Sequence, residues 1–269
     1  MDLSIVIPAY EESEKIVRDI REAAEFLADH QLTGQIIVVD DGSADDTAAV
    51  ARTALAGPPE GVSFEVIRYP EHKGKGYAVR TGIASATGDF VMFADSGSCV
   101  PYEEVLHGLK LIKEGGYDIA HASRRLDGCH VDYGQAVHRR ICSNLFRACI
   151  LWLVGIPSDL TDTQCGFKIY RGSVARRLYS ECMTDGSAFD IEIILRAHRA
   201  GYRIKEFPVR WTVDPDSRHS IVKSLWSIPR ELWQIKMALR REDKGRSNPA
   251  PAACRQDTCP PASEAPSEN

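Results

Sequence analysis

The chain has 269 residues, enough for one large α/β domain with an ample core, and no internal linker or repeat divides it. Its net charge of -5 argues against a general nucleic-acid binder. Eight cysteines, at 99, 129, 142, 149, 165, 182, 254 and 259, include no CxxC pair, and a chain this long needs no disulfide framework, so they read as reduced, partly buried thiols.

The chain enters a strand at once. Leu3 to Ile7 is a continuous apolar run ending at Pro8, the pattern of a strand buried on both faces. Ser13 to Ala28 has helical spacing through Ile16, Ile20, Ala23 and Leu27. Gln35 to Val39 predicts a second buried strand, and Asp45 to Leu55 a helix with acidic residues in its first turn. Phe64 to Arg68 (strand), Lys75 to Ala86 (helix) and Phe90 to Ala94 (strand) follow. This alternation predicts a parallel sheet wound by right-handed crossovers, with ligands at the carboxyl ends of the strands.

The second half is less regular. Strands are expected at Ile119–Ser123, Phe167–Tyr170 and Ile204–Trp211. Helices are expected at Val137–Val154, Ile191–Ala200 and Ser227–Arg241, with Pro229 in the first turn of the last. From Glu242 the composition turns to Pro, Ala, Ser and Glu, predicting a disordered tail over 242–269 behind a folded unit of 1–241. No signal-peptide pattern opens the chain, and the longest apolar run, Ala148 to Ile156, falls short of the ~20 residues a span takes. A cytoplasmic protein is expected, with peripheral contact at the inner face of a membrane.

Several clusters read as chemistry. Pro8, Tyr10, Glu12 and Asp40 stand at strand ends, where carboxylates and a flat ring suit a base, although such carboxylates also cap helices. Glycines flank Lys75 in His72–Ala78, as suits a phosphate-bearing ligand or an ordinary turn. Arg124, Arg125, Arg139 and Arg140 offer guanidinium forks for phosphate, or a solvated basic face. Asp162-Thr163-Gln164-Cys165-Gly166-Phe167-Lys168 packs an acid, an amide and a lysine around a glycine, and reads as a site. Two apolar stripes, Ile141 to Ile156 and Ile221 to Leu239, carry Trp, Arg and Lys beside them. They suit either a membrane interface or helices packed on the sheet or in a dimer.

Ser4–Glu12, Val38–Ser43 and Asp162–Lys168 together resemble glycosyltransferase family 2, in the branch that makes dolichyl-phosphate glucose or mannose, from residue 3 to about residue 225. The resemblance implies one α/β domain of GT-A type (Rossmann-like), a mostly parallel sheet flanked by helices, closed by an amphipathic C-terminal helix. It implies inverting transfer of a hexose from a nucleotide sugar, UDP-glucose first and GDP-mannose second, to a polyprenyl phosphate. Pro8, Tyr10, Glu12 and Asp40 would hold base and ribose, and Lys75 and Arg124 the phosphates. Asp95, Asp162 and Gln164 would surround the sugar and diphosphate, with Arg139 on the acceptor and Arg218, in a mobile loop, on the leaving group. Asp190 would act beside them or only cap its helix.

The family usually has Asp-x-Asp where this chain reads Asp95-Ser96-Gly97, so the implied Mg2+ or Mn2+ keeps one carboxylate, Asp95. Either diphosphate oxygens, waters or Gln164 complete that site, or Lys and Arg neutralise the diphosphate without a tight metal. Two rivals remain: a soluble transferase with a small hydroxyl acceptor, and a non-catalytic sugar-nucleotide binder.

Overall fold

Leu3–Ala9 forms strand β1, buried at every position. The computed structural model describes residues 1–55, 57–131, 155–156, 160–212 and 221–246, with backbone alone at 131, 221–228 and 244–246. The expected helix Val137–Val154, with Arg139 and Arg140, lies outside the described residues, as do Arg218 and the chain beyond 246.

The strands after β1 are β2 (Gly34–Asp40), β3 (Val62–Arg68), β4 (Phe90–Ala94), β5 (Ile119–Ser123), β6 (His130–Val131), β7 (Phe167–Arg171), β8 (Ile204–Pro208) and β9 (Arg210–Trp211). The helices are α1 (Ile16–Asp29), α2 (Thr47–Thr53), α3 (Lys75–Ser85), α4 (Val105–Lys113), α5 (Gly172–Ser180), α6 (Phe189–Arg199) and α7 (Ile221–Arg246). Seven strands make one sheet in the order β3-β2-β1-β4-β7-β5-β8. All pairs are parallel except those of β7, which runs antiparallel to both β4 and β5.

The sheet is sandwiched. Ile16, Ile20 and Leu27 of α1, Ala51 of α2 and Val105, Leu109 and Ile112 of α4 build the core on one face. Val79 and Ile83 of α3, Val174 and Leu178 of α5 and Phe189 and Ile193 of α6 build it on the other. Each such aliphatic side chain contributes about 1.5–3 kcal/mol by leaving water. Outside the second layer, Leu232, Ile235 and Leu239 of α7 bury themselves against Ile191, Ile194 and Leu195 of α6.

Three details depart from expectation. The strand expected over 204–211 breaks after Pro208, and β9 pairs instead with β6 in a small second sheet. Helix α7 starts at Ile221, so Pro229 sits inside it, where a missing N–H removes one helical hydrogen bond. The same helix runs to Arg246, past the expected boundary at 241, because Arg196 holds Glu242 through two hydrogen bonds at 3.0 and 3.1 Å. For Leu232, Ile235 and Leu239 of the second apolar stripe the packed alternative holds, with α6 as the surface they face. Among the described residues no helix is long and apolar enough to cross a membrane.

Candidate active site

Three loops leave the carboxyl ends of adjacent strands. Ala9 and Asp40, the last residues of β1 and β2, are register partners, and β4 flanks β1 on its other side. Asp40 is fully buried; its carboxylate accepts from the Ser43 N–H at 3.1 Å and lies 3.2 Å from Arg68 Nε. Its Oδ2 makes no directed hydrogen bond, which leaves one buried acceptor at the base of this loop. Tyr10 is exposed, with its ring centroid 4.1 Å from that of His72. The Glu12 N–H donates to Thr47 Oγ1 at 2.8 Å, and its carboxylate pairs with Lys15 at 3.7 Å. Pro8 is buried inside β1 opposite Val39, where it shapes the strand end. A residue without an N–H is tolerated there because pairing to β4 stops at Val6.

Asp41 is buried as well. It accepts from the backbone N–H groups of Lys73 at 2.8 Å and Gly74 at 2.9 Å, and meets His72 at 2.9 Å. That lashes the β2 loop to the entry of α3. Gly74 and Gly76 serve the fold here. An added Cβ would come within 2.5 Å of the Asp185 carbonyl at Gly74, and of the Thr184 carbonyl at Gly76. The glycines flanking Lys75 therefore accommodate another loop, as the ordinary-turn reading of their spacing allows.

Lys75 opens α3 and points its ammonium at Asp95, 2.6 Å from Oδ1 and 2.8 Å from Oδ2. Burial works against the Lys75 charge, but Asp95 and Asp190 outweigh it and raise its pKa. The Asp95 N–H donates to the Gly166 carbonyl at 2.8 Å, which joins the end of β4 to the start of β7. The loop after Asp95 is fixed from below by Asp19 of α1. That buried carboxylate accepts from Ser96 Oγ at 2.9 Å, the Gly97 N–H at 2.8 Å and Ser98 Oγ at 2.7 Å. Gly97 has φ +103°, a conformation side chains other than glycine's resist.

Two further ion pairs lie alongside. Arg124, just past β5, grips Asp162 through Nε at 2.7 Å, a terminal nitrogen at 2.9 Å and its own N–H at 3.0 Å. Burial pushes the Asp162 carboxyl up, but Arg124 outweighs it and holds the pKa below the ordinary carboxylate value. Glu206 of β8 in turn accepts the N–H groups of Thr161 and Asp162 at 2.8 and 2.7 Å. The Lys168–Asp190 pair is wholly interior, at 2.7 Å, and Lys168 also donates to the Cys165 carbonyl at 2.7 Å. Asp190 thus holds a lysine and is no mere helix cap. Burial raises its pKa, and Lys168 and Lys75 only partly counter that. Burial also pushes the Cys165 thiol up to about 12, so it is no nucleophile. Gln164 Nε2 is buried without a hydrogen-bond partner, beside the Arg124–Asp162 fork.

A residue set of this kind, on one edge of a doubly wound sheet, can be compared with known proteins. The profile of Glycosyl transferase family 2 matches residues 4–178. The chain belongs to glycosyltransferase family 2. Among relatives of this family 2 enzyme, the dolichyl-phosphate beta-glucosyltransferase of Drosophila melanogaster is 30% identical over 87% of this chain and 74% of its own. The Saccharomyces cerevisiae enzyme of the same name is 27% identical over 88% and 74%. Glycosyltransferase AglD of Haloferax volcanii is 27% identical over 89% of this chain but only 38% of its own. A solved structure of Mycobacterium tuberculosis glucosyl-3-phosphoglycerate synthase with Mn2+, UDP-glucose and phosphoglyceric acid has a TM-score of 0.64 at 21% identity, covering 88% of this chain and 79% of that one. Another, with Mg2+ and UDP, has a TM-score of 0.59 at 20% identity, covering 88% and 78%. The GT-A-type fold and the glycosyltransferase class follow.

The metal of those neighbours is a poor match to the donors of this family 2 chain. Asp95 is the single carboxylate in its Asp-Ser-Gly loop; Lys75 donates to its Oδ2 at 2.8 Å and lies 2.6 Å from its Oδ1, a buried oxygen that makes no directed hydrogen bond. Two other acids reach that loop: Asp19 is committed to Ser96, Gly97 and Ser98, and Glu22 to Ser98 Oγ. Among the described residues no three His, Cys, Asp or Glu side chains converge as a metal site. Asp19 and Glu206 are site-shaping residues that lie outside every cluster read from the sequence. Asp19 carried a signal: an acid on the apolar stripe of α1, between Ile16 and Ala23.

Proposed function

We propose that this enzyme transfers glucose from UDP-glucose to a polyprenyl phosphate of the dolichyl type, with inversion. The observation that carries the reading is the alignment of Asp40, the Lys75–Asp95 pair and the Arg124–Asp162 pair along one sheet edge. The relatives' activity, dolichyl-phosphate beta-glucosyl transfer, supports the choice of sugar and acceptor. GDP-mannose, a small hydroxyl acceptor and a non-catalytic binding role find no support in those relatives.

Asp40, with Tyr10 and Glu12 on the neighbouring loop, receives base and ribose. Lys75 and Asp95 stand at the diphosphate, Asp162 and Gln164 at the sugar, and Arg124 at the phosphates. Arg139 for the acceptor and Arg218 for the leaving group complete the proposed set. The acceptor phosphate is already an anion, so no strong general base is required. One of its oxygens attacks the anomeric carbon opposite the diphosphate; that C–O bond forms as the bond to the diphosphate breaks, and UDP leaves. The protein contributes alignment and charge neutralisation. A lipid acceptor requires contact with a membrane, in keeping with a cytoplasmic enzyme docked at its inner face. Exposed Trp233, Arg230, Arg240 and Arg241 on α7 support that contact.

The test is a donor panel (UDP-glucose, GDP-mannose, UDP-N-acetylglucosamine) with polyprenyl phosphate in vesicles. Glucosyl transfer from UDP-glucose is expected. Absence of transfer from every donor overturns the reading.

A further inference from the structure

We propose that the Lys75 ammonium supplies, at the donor diphosphate, the positive charge that a divalent cation supplies in the structural neighbours, with Asp95 as its positioning partner. This rests on the nucleotide-sugar reading above.

The loop that would carry a second metal acid is built otherwise. At φ +103°, Gly97 occupies backbone space that an aspartate resists, and its N–H is held 2.8 Å from Asp19. The two serines beside it are tied to the same carboxylate, at 2.9 and 2.7 Å, so the turn is fixed on both sides of the glycine. Asp19 itself takes three donors and is not available as a ligand from below.

Asp95 is the carboxylate that the loop itself carries, and its position is also fixed. Its N–H is bound to Gly166, and its carboxylate lies so close to Gly166 that an added Cβ there would be 1.9 Å from Oδ2. Both oxygens face the Lys75 ammonium, at 2.6 and 2.8 Å. A hard dication would have to share that carboxylate with a lysine, at close range and with like charge. Lys75 is held in place by more than Asp95, because its charge is also favoured by buried Asp190 and it sits 6.0 Å from the ring centroids of both Phe93 and Phe189. An ammonium has three donors, and Asp95 Oδ2 accepts one of them. The side chain keeps 22% of its surface exposed, so a diphosphate oxygen can reach another.

The experiment is calorimetric titration of UDP into the full chain, once with excess EDTA and once with Mn2+. Wild type should bind UDP in EDTA, with affinity changing by less than about threefold on adding Mn2+. Lys75→Met should weaken UDP in EDTA by about tenfold or more, the loss of one charge-assisted contact, while Lys75→Arg retains most of the affinity. Mn2+ should then tighten UDP binding to Lys75→Met alone, since Asp95 has been released. Wild-type binding seen with Mn2+ and lost in EDTA overturns this inference and leaves the donor reading standing. No UDP binding in either buffer overturns both. The wild-type comparison needs no variant, so a misfolded Lys75→Met does not protect the proposal.

Discussion

A methyl group on Gly166 would stand 1.9 Å from Asp95 Oδ2, nearer than any real contact. The glycine is thus required by a neighbouring carboxylate, and the two meet only in the fold. Gly166→Ala must push Asp95 away from Lys75. A displacement near 1 Å at such a site costs about 100-fold in rate, and a transfer assay beside circular dichroism separates that from unfolding. Lys168 and Asp190 are a different kind of residue pair, both almost entirely buried. Lys168→Met strands a carboxylate and should cost about 3–5 kcal/mol, and adding Asp190→Leu should recover most of it. Urea unfolding of the single and double variants reads both numbers; an additive double variant contradicts the pairing. Asp162 offers a pH test. Burial pushes its carboxyl up, but Arg124 holds it below 3.8, so the folded state binds this proton less readily than the unfolded chain. Its contribution is complete above the ordinary value and is lost as pH falls through the folded one. Asp162→Asn should therefore flatten the decline in stability below about pH 4, measured by urea unfolding across pH.

Elements differ in how openly they declare themselves. β1, β2 and α1 read directly from their apolar runs and stripes, because each buries a continuous face. Helices α4 and α5 went unread. In α4 the stripe Val105, Leu109, Ile112 is present, but Gly108 interrupts it, and that glycine exists because a Cβ would press on Ile169 at 2.3 Å. Helix α5 starts directly at the end of β7 without a loop to announce it. Helix α7 was read correctly as amphipathic, yet the partner of its stripe was invisible, since a membrane and a neighbouring helix ask for the same residues. The structure supplies α6 as that partner. Leu232→Ala should accordingly cost about 2–5 kcal/mol, whereas Trp233→Ala, on the exposed face, should leave stability nearly unchanged. Thermal unfolding of the two variants decides it; equal small effects would return the stripe to the membrane.

At the scale of the whole molecule, the sheet order explains why the site was partly legible. Parallel strands place their carboxyl ends together, so Asp40 and Asp95 could be located from sequence as soon as their strands were. What sequence could not give was the direction of β7, which enters antiparallel from the same edge and sets Gly166 against Asp95 across more than seventy residues of chain. The braces were largely hidden: Asp41 to the entry of α3 and Glu206 to Asp162 are long-range contacts with no local signature, and the place of Asp19 on the apolar stripe of α1 marks it without showing that it meets the Asp95 loop. Because these loops come from β1, β2, β4 and β7 and are cross-braced, a nucleotide bound among them should stabilise the sheet edge as one body. UDP at about 100 times its dissociation constant contributes about 2.7 kcal/mol, which for a domain of this size raises Tm by about 5–10 °C. Hydrogen exchange should slow together in the loops after β1, β2 and β4 and in the loop before β7. Protection confined to one of these loops, or a Tm that ignores UDP, would mean that they do not form a shared nucleotide site.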